Sequence, residues 1–368
     1  MRVGIEITPL TSTPTGVGYY VRHLLEALLE LPERPGYIGF SSGLHRPDMQ
    51  GIPVDFRRIP LPTRFLYQCW ASVGIPQVDR FLGGVDVYHA VNYVLPPVQR
   101  ARRVLSIHDL CFLRHPEWAS PKIVAPFQRT IRKDAHEADL VIACSEATKR
   151  EIVELLELPP EHIRVIYDAA DSLFHPVAVD QAKEQVARAL GIKESYLLFV
   201  GTREPRKNLS TLLEAFSQAD IPQHLVIAGG AGWNSRELQD QVMRLNLESK
   251  VHFTGYIQDR SLFPALYSAA VAFVFPSWYE GFGLPVLEAM ACACPVIASN
   301  TTSIPEVGGD AALYVAPDDV AAWVSALRQV VGDKALRDTM CKKGLEQAER
   351  FSWKRCAEET LDCYRSLV

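Results

Sequence analysis

The chain has 368 residues, enough for two domains of ordinary size, and its 48% hydrophobic and 22% charged residues are typical of a folded globular protein. Its formal net charge of −5 argues against nucleic acid as a partner. The sequence has no run of about eighteen apolar residues, so no membrane-spanning helix is expected, and MRVGIEITPL favours a first strand over a signal peptide.

The first half of the chain alternates apolar runs of strand length with segments of helical periodicity. Residues 2–8 predict a strand, and residues 16–30 place apolar side chains at helical spacing. Further helical segments are expected at 121–137 and 145–157. Four short apolar runs end in polar or turn residues and predict buried parallel strands, at 85–90, 102–109, 139–145 and 163–167.

The alternation stops near 166–180 and then starts again. Five more strands are expected, separated by helical segments, at 195–201, 224–230, 250–255, 271–277 and 295–299. We therefore predict an α/β protein with two doubly wound domains, residues 1–175 and 176–351, joined by a linker near 168–185. In proteins of this layout, ligands bind at the carboxyl ends of the strands, in the crevice between the domains.

The eight cysteines form no C-x-x-C pair, and Cys292 and Cys294 are too close in sequence for the usual spacing of zinc ligands. Most of the eight lie in apolar runs, which predicts buried free thiols and indicates a reducing cytoplasm.

The stretch PSWYEGFGLPVLEAM, residues 276–290, places Glu280 and Glu288 around a glycine turn at the end of a predicted strand. Pro285 suits the first turn of a helix. The N–H groups ahead of that helix would form an anion site, and they belong to Gly281, Phe282, Gly283 and Leu284. Carboxylates repel phosphate and accept hydrogen bonds from hydroxyls, so the pattern indicates a nucleotide diphosphate sugar. Alternatively, Glu288 only favours the helix dipole and Glu280 is a solvated loop acid.

Three cations follow the strand at 195–201, in GTREPRKN: Arg203, Arg206 and Lys207. Cations at a strand end can neutralise a leaving diphosphate through charge-assisted hydrogen bonds. The alternative is an exposed basic turn. Residues 224–235, HLVIAGGAGWNS, come near a dinucleotide fingerprint, but Ser235 stands where the third glycine is required. They predict either a turn beside a nucleotide base or a plain structural turn.

Together these residues resemble family 4 of the retaining glycosyltransferases. Glu280-GFGLPVL-Glu288 is similar to the E-x7-E signature of that family, and 204–208 and 303–319 are similar to its C-terminal domain. Residues 351–368 are similar to its terminal helix, so the resemblance covers nearly the whole chain.

The resemblance implies the GT-B architecture, in which two Rossmann-like domains face a cleft and the last helix, about 352–368, packs back on the first domain. It also implies transfer without a metal or other cofactor and with retention at the anomeric carbon. The lack of an Asp-x-Asp motif agrees with a metal-free site.

Specific roles come with the resemblance. Glu280 would hold hydroxyls of the donor sugar, residues 281–284 would face the sugar and diphosphate, and Glu288 would bind the ribose. Lys207, with Arg206, would stabilise the departing diphosphate.

The resemblance also extends to the first half of the chain. Gly16, in TPTGVGYY (13–20), is similar to the family's N-terminal glycine loop near the diphosphate and acceptor. In SIHDL, His108 and Asp109 are similar to the acceptor-side histidine and the acid that follows it. His108 would orient a hydroxyl and need not be the base, since the departing phosphate oxygen can take the acceptor proton. Alternatively, it is a structural histidine at a strand end.

This sequence departs from the family pattern at two places. Thr202 stands where many members have arginine, so either Arg203 or Arg206 would substitute for it. YDAAD at 167–171 stands where many members have Asn-Gly, a difference expected to affect the linker only.

The basic and apolar residues of 57–70 and 121–137 leave open a peripheral contact with the inner face of the membrane. Ordinary amphipathic helices explain the same pattern.

The leading hypothesis is a retaining hexosyltransferase that moves a hexose from a nucleotide diphosphate sugar to a saccharide or lipid-linked acceptor. GDP-mannose is the first choice of donor. The alternatives are a sugar-nucleotide epimerase or sucrose-type synthase on the same fold, and a non-catalytic nucleotide-sugar-binding subunit. Glu280, Lys207 and His108 argue against the non-catalytic alternative. The sequence does not decide the acceptor, the linkage or the oligomeric state.

Overall fold

The protein is described from a computed structural model that covers residues 1–11, 16–118, 121–232 and 235–368, without the side chains of 121–123 and 126. These residues form two compact units, Met1–Asp168 with Ser352–Val368, and Ala169–Phe351. No helix within the described ranges has both the length and the apolar character needed to cross a bilayer.

The first unit is built on a sheet of seven parallel strands. Their bounds are β1 Arg2–Glu6, β2 Gly36–Ser42, β3 Phe56–Ile59, β4 Val87–Ala90, β5 Arg102–Ile107, β6 Leu140–Ala143 and β7 Ile163–Val165. The spatial order is β3-β2-β1-β4-β5-β6-β7. The chain moves outward from β1 to β3 and then returns to place β4 beside β1. Ligands bind open α/β sheets at such a reversal, outside the carboxyl ends of the strands.

Helices cover both faces of this sheet. In chain order they are α1 Gly16–Glu30, α2 Thr63–Val73, α3 Val78–Phe81, α4 Cys111–Arg114, α5 Pro121–Glu137 and α6 Glu146–Leu156. The successive residues Val87 and Tyr88 of β4 are both buried, Val87 in a cluster with Leu24 of α1 and Tyr88 in a cluster with Trp70 of α2. Because helices cover both faces, the central strands β1, β4 and β6 are largely apolar instead of alternating with polar residues.

The second unit repeats this plan with six parallel strands. Their bounds are β8 Tyr196–Val200, β9 His224–Ala228, β10 Val251–Gly255, β11 Ala272–Phe275, β12 Val296–Ser299 and β13 Ala312–Val315. The order is β10-β9-β8-β11-β12-β13, so the reversal lies between β8 and β11. The loops that follow these two strands are therefore the expected ligand-binding loops of this unit.

Eight helices of the second unit are described: α7 Val179–Leu190, α8 Leu209–Ala219, α9 Ser235–Arg244, α10 Phe263–Ser268, α11 Leu284–Ala291, α12 Ile304–Gly308, α13 Val320–Gly332 and α14 Lys334–Ala348. The last helix, α15 Trp353–Ser366, belongs to the first unit. Its Trp353 ring lies 5.2 Å from the ring of His23 in α1. Its Tyr364 hydroxyl lies 2.7 Å from Nδ1 of His89 in β4, and Leu361 is buried in the same core.

The division between the units falls after Asp168, earlier than the expected boundary at residue 175. Asp171 forms an ion pair with Arg260 at 3.1 Å, and the Phe174 ring packs edge-on against Tyr267. These contacts fix residues 171–174 to the second unit. The expected linker near 168–185 also contains the start of α7.

Candidate active site

Two loops meet at the reversal of the second sheet, Gly201–Asn208 after β8 and Pro276–Gly283 after β11. The Trp278 N–H donates to the carbonyl of Arg206 at 2.8 Å, and Asn208 Nδ2 donates to Pro276 O at 3.1 Å and to Pro317 O at 2.7 Å. Asn208 has φ +54°, a left-handed conformation that Asn tolerates better than most residues. These bonds hold the two loops in a fixed relation.

The glutamate of one loop is bound by two cations of the other. Lys207 Nζ donates to Glu280 Oε1 at 2.5 Å, and Arg206 Nη1 donates to Glu280 Oε2 at 2.8 Å. Arg206 also donates from Nε to Glu204 at 3.2 Å and from Nη1 to the carbonyl of Tyr279 at 3.0 Å. The side chains of Lys207 and Glu280 are only 7% and 8% exposed, so this pair is almost completely removed from water.

The electrostatics of this cluster keep Glu280 ionised. Burial alone would raise the pKa of Glu280, but the charges of Arg206 and then Lys207 outweigh it and lower the pKa to about 2. Burial and the neighbouring Arg206 lower the pKa of Lys207, while the carboxylate of Glu280 opposes that shift. Glu280 is therefore an anion at neutral pH and is not the solvated loop acid of the alternative interpretation.

Hydrogen-bond capacity remains in the cluster for a ligand. The ammonium of Lys207 can donate three hydrogen bonds, of which Glu280 accepts one. Its Nζ also lies 4.7 Å from the centre of the Phe275 ring, a cation–π contact at the end of β11. Of the three cations in this loop, Arg203 and Lys207 are buried and Arg206 is about one quarter exposed, contrary to the alternative of an exposed basic turn.

Arg203 and Arg206 have different surroundings, which bears on the substitution at Thr202. Arg203 is buried, its guanidinium lies 5.1 Å from the ring centre of Phe253, and its Nε donates to Gly230 O at 3.4 Å. Arg206 instead contacts Glu280. Of the two arginines, Arg206 is the one that the structure brings into the charged cluster.

The glycines of the near-fingerprint after β9 have a packing role. A Cβ on Gly229 would lie 2.0 Å from Gly201 O, and a Cβ on Gly232 would lie 2.2 Å from Arg203 O. Only glycine permits such an approach of two backbones. This supports the interpretation of the residues after β9, 229–232, as a structural turn that packs against the basic loop; residues 233 and 234 lie outside the described part of the chain.

The glycine turn before α11 is anchored from the start of α12. Ser303 Oγ donates to Glu280 O at 2.9 Å and to Phe282 O at 2.8 Å, and Glu280 N–H donates to Thr302 Oγ1 at 3.0 Å. Gly283 has φ +107°, a conformation that favours glycine, and Leu284 begins α11 directly after it. The expected turn and helix start are therefore both present.

Glu288 lies in α11 and is half-buried. Its Oε2 accepts a hydrogen bond at 2.9 Å from the hydroxyl of Tyr267, a residue fully enclosed in the core. The carboxylate is held in one orientation by this bond. A simple role at the helix dipole would not require a buried tyrosine to hold it.

His108 follows β5 in the first unit, and its Nε2 lies 2.9 Å from the carbonyl oxygen of Val91, which follows β4. A carbonyl only accepts, so Nε2 carries a hydrogen and Nδ1 is the acceptor nitrogen of the neutral ring. Burial lowers the pKa of His108, which favours this neutral form. The ring of Tyr20 lies 4.7 Å away, edge-on. Asp109 Oδ1 accepts from Cys111 N at 3.0 Å and so also fixes the start of α4.

Gly16 is the first residue of α1, and a Cβ on it would meet no described atom within 4 Å. Packing among the described residues therefore does not require a glycine here, and the approach of a ligand to Gly16 stays a prediction. Residues 13–15 of the predicted glycine loop lie outside the described residues.

Sequence reasoning missed Glu6, which ends β1 at the reversal of the first sheet. It is buried, and burial raises its pKa to about 7 despite hydrogen bonds from Thr8 and the Val91 backbone. An acid inside the apolar run RVGIEIT was the available signal. Tyr267 and Ser303 were also missed, because nothing in their own segments indicates which loop they hold.

Comparisons with known proteins cover both units. A family model described as "Glycosyltransferase Family 4" matches residues 14–172, and one described as "Glycosyl transferases group 1" matches residues 180–347.

Similar proteins include the O-antigen chain mannosyltransferase B of Escherichia coli, 35% identical over 285 residues, which span 76% of this chain and 74% of that protein. The O-antigen chain mannosyltransferase RfbU of Salmonella typhimurium is 29% identical over 72% of this chain and 70% of its own. Among solved structures, the sucrose-phosphate synthase of Thermosynechococcus elongatus matches with a TM-score of 0.78 at 25% identity, over 100% of this chain and 98% of its own. The two parallel sheets thus have the GT-B fold.

Proposed function

The chain belongs to the family 4 glycosyltransferases, and we propose that it transfers mannose from GDP-mannose to a saccharide or lipid-linked acceptor with retention at the anomeric carbon. Mannose is chosen because the similar proteins of Escherichia coli and Salmonella typhimurium are named mannosyltransferases. The observation that carries the proposal is the buried contact of Glu280 with Arg206 and Lys207 at the reversal of the second sheet.

In the proposed reaction, the bond between the anomeric carbon and the phosphate oxygen breaks while the acceptor oxygen bonds to the same face of that carbon. The acceptor proton passes to the departing phosphate oxygen, so no protein base is required. Negative charge grows on the diphosphate, and preorganised cations in a site removed from water stabilise such charge strongly. In this proposal Arg206 and Lys207 supply these cations.

Glu280 has two tasks in this proposal. Its negative charge offsets the mutual repulsion of buried Lys207 and partly exposed Arg206 in the absence of ligand. Its carboxylate has about four acceptor positions, of which Arg206 and Lys207 use two. The others suit hydroxyls of the donor sugar.

The remaining site residues fit the two ends of the donor and the acceptor. Glu288, oriented by Tyr267, is proposed to accept from the ribose hydroxyls, and the N–H groups of 281–284 to face the sugar and diphosphate. In the first unit, the acceptor nitrogen of neutral His108 is proposed to orient a hydroxyl. Gly16 and Asp109 are proposed to lie near the diphosphate and the acceptor.

A thermal-shift panel tests the donor. GDP, UDP, ADP and dTDP, each with and without its sugar, are added to the protein in EDTA, and we expect the largest shift with GDP-mannose. Transfer that persists in EDTA would support metal-independent chemistry. The absence of a shift with every nucleotide would contradict the donor site itself.

Sucrose-type synthesis is the second candidate, because the sucrose-phosphate synthase structure matches the whole chain. Including fructose 6-phosphate among the acceptors tests it directly, and a disaccharide phosphate as the main product would replace our proposal. Conversion of the sugar nucleotide without any acceptor would instead indicate an epimerase.

We also propose a peripheral contact with anionic lipid, centred on the segment that contains α2. Phe65 and Val73 are exposed over half or more of their surface, and Ile75 just beyond the helix is exposed as well. Arg64 lies beside Phe65 in sequence and supplies positive charge. In a flotation assay, vesicles of phosphatidylglycerol should bind the wild-type protein and should not bind the Phe65→Ser variant. Equal recovery of the wild-type protein with neutral vesicles would contradict this proposal.

A further inference from the structure

Two histidines and a glutamate meet at the opposite end of the second sheet from the proposed donor site. Glu194 precedes β8, His224 is the first residue of β9, and His252 is the second residue of β10. These three strands are neighbours in the order β10-β9-β8. Since β8 has five residues, its amino end lies roughly 16 Å from its carboxyl end, where the charged cluster is.

The three side chains converge on one point. One potential ligand atom from each of Glu194, His224 and His252 lies within 4.8 Å of the others. Nδ1 of His224 and Nε2 of His252 are 2.7 Å apart, and the two rings are nearly parallel with centres 5.0 Å apart. The register pairs Leu225 with Val251, which places the two histidines diagonally on one face of the sheet.

The surroundings of two of these side chains, His252 and Glu194, shift their pKa values. Burial, followed by the nearby His224, lowers the pKa of His252, so its ring is neutral at pH 7. Hydrogen bonds from its own backbone N–H and from that of Lys193 lower the pKa of Glu194, which is therefore ionised. Neutral imidazole and carboxylate are the forms of these side chains that bind metal ions.

We propose that Glu194, His224 and His252 bind a divalent transition metal of the Zn²⁺ class and thereby join the amino ends of β8, β9 and β10. Two imidazole nitrogens and a carboxylate oxygen form a common donor set for Zn²⁺, with water in the fourth position. Glu194 is exposed and both histidines are half-buried, so an ion can enter from solvent.

Binding requires a small local change. Ligand atoms of a tetrahedral Zn²⁺ ion with bonds near 2.05 Å are roughly 3.4 Å apart, so the two ring nitrogens must separate by about 0.7 Å from their hydrogen-bonded distance of 2.7 Å. The hydrogen now shared between the two rings moves to the other nitrogen of its own ring. The site lies far from Arg206, Lys207 and Glu280, so the ion has a structural role and takes no part in sugar transfer.

Co²⁺ in place of Zn²⁺ tests the proposal in the full-length, untagged protein. Cys69 and Cys341, which are partly exposed, are first changed to serine because thiols also bind these metals. We expect visible d–d absorption of tetrahedral Co²⁺ that saturates at one ion per chain and is displaced by Zn²⁺. A hundredfold excess of Zn²⁺ over its Kd should raise the Tm of the second unit by about 5–10 °C.

Glu194→Gln and His252→Gln should each weaken Co²⁺ binding by at least about tenfold. His45→Gln is the matched control, because His45 is exposed in the first unit, and it should leave binding unchanged. Glu194 is exposed, so its variant is expected to fold even if His252→Gln does not. Absence of saturable binding, or equal binding in Glu194→Gln and the control, would overturn the proposal; transfer activity should be the same with and without the metal.

Discussion

Glu280 is the residue on which the geometry of the proposed site depends. It is a buried anion between two cations, and such an arrangement is more costly to break than it is favourable to form, because the charge of Lys207 stays buried after Glu280 is lost.

Replacing Glu280 with Gln should therefore destabilise the second unit by about 3–5 kcal/mol and reduce transfer by about a hundredfold or more. Glu204→Gln is the control, because Glu204 pairs with the same Arg206 but is about one quarter exposed and should cost no more than about 1 kcal/mol. Urea unfolding and initial transfer rates are the measurements. Equal losses in the two variants would show that burial of Glu280 has no special effect.

The pKa values of buried carboxyl groups shift in opposite directions in the two units, so the stability of the two units is predicted to change in opposite directions with pH. The pKa of Glu280 is lowered to about 2, so its contribution to stability is present above about pH 4.5 and is lost as the pH falls towards 2. Burial raises the pKa values of Glu6 and Asp168 to about 7, so their contribution is complete below about pH 4 and is lost as the pH rises through 7.

Glu6→Gln and Asp168→Asn should thus stabilise the first unit at pH 8 by about 1–3 kcal/mol and flatten the decline in stability between pH 5 and pH 8. Among the described residues, one buried carboxylate oxygen of each has no hydrogen-bond partner, and an uncharged amide tolerates this better. Glu30→Gln, on the exposed side of α1, should leave the pH dependence unchanged. If stability declines between pH 5 and pH 8 as steeply in both variants as in the wild-type protein, the two carboxyls are ionised in the folded state.

The tautomer of His108 predicts that its replacement reduces transfer without weakening nucleotide binding. In His108→Gln, the amide can still donate to Val91 O but no longer offers the acceptor nitrogen of the ring. We expect transfer to fall by about a hundredfold while the thermal shift with GDP stays unchanged. His136→Gln is the matched control, since His136 Nε2 makes the same kind of bond to Leu156 O. Full activity in His108→Gln would make His108 a structural residue.

At the scale of elements, the strands predicted from continuous apolar runs are present, each slightly shorter than its run. Three strands were not predicted: β2, β3 and β13. The glycines and serines of GYIGFSS and the two arginines of FRRI interrupt the apolar runs that would have predicted β2 and β3. Strand β13 is only four residues long and lies at the edge of its sheet. These strands form because their neighbours offer backbone partners, and a local pattern cannot report that.

Helix α7 likewise could not be predicted from its local sequence pattern. Its sequence, VDQAKEQVARAL, buries only Ala182 and Val186, so its apolar stripe is too narrow to distinguish it from a polar linker. The helix forms because it packs against α10 in the second unit.

The packing of α15 on α1 predicts a dependence of the first unit on the end of the chain. Leu361→Ala should lower its free energy of unfolding by about 2–5 kcal/mol, because Leu361 is buried in the core shared with α1 and β4. Glu358→Ala on the exposed face of the same helix should cost less than about 0.5 kcal/mol. Urea unfolding measures the stability of both variants. Equal losses of stability in the two would show that α15 contributes little to this core.

At the scale of the whole molecule, the sequence allowed prediction of which local segments carry the chemistry. The glycine turn, the helix start and the basic run are each contained in a few consecutive residues, and all of them lie where strand ends were expected. The contact of Lys207 with Glu280 joins residues 73 apart, and it follows from the placement of β8 beside β11. Periodicity does not give strand order, so that pairing required the structure.

The same reason explains what the sequence did not indicate at all. Glu194, His224 and His252 come from three separate segments, and none of these has the spacing of a metal motif. Tyr267 and Glu288 likewise meet only through tertiary packing.

The central claim is that the cluster of Arg206, Lys207 and Glu280 binds the diphosphate of a nucleotide sugar. Its most direct test is calorimetric titration of GDP and GMP into the wild-type protein and Lys207→Met, which keeps the contact between Arg206 and Glu280. We predict that the wild-type protein binds GDP more tightly than GMP, and that Lys207→Met weakens GDP binding by about 10–100-fold while GMP binding changes little. An unchanged preference for GDP in Lys207→Met would contradict the account.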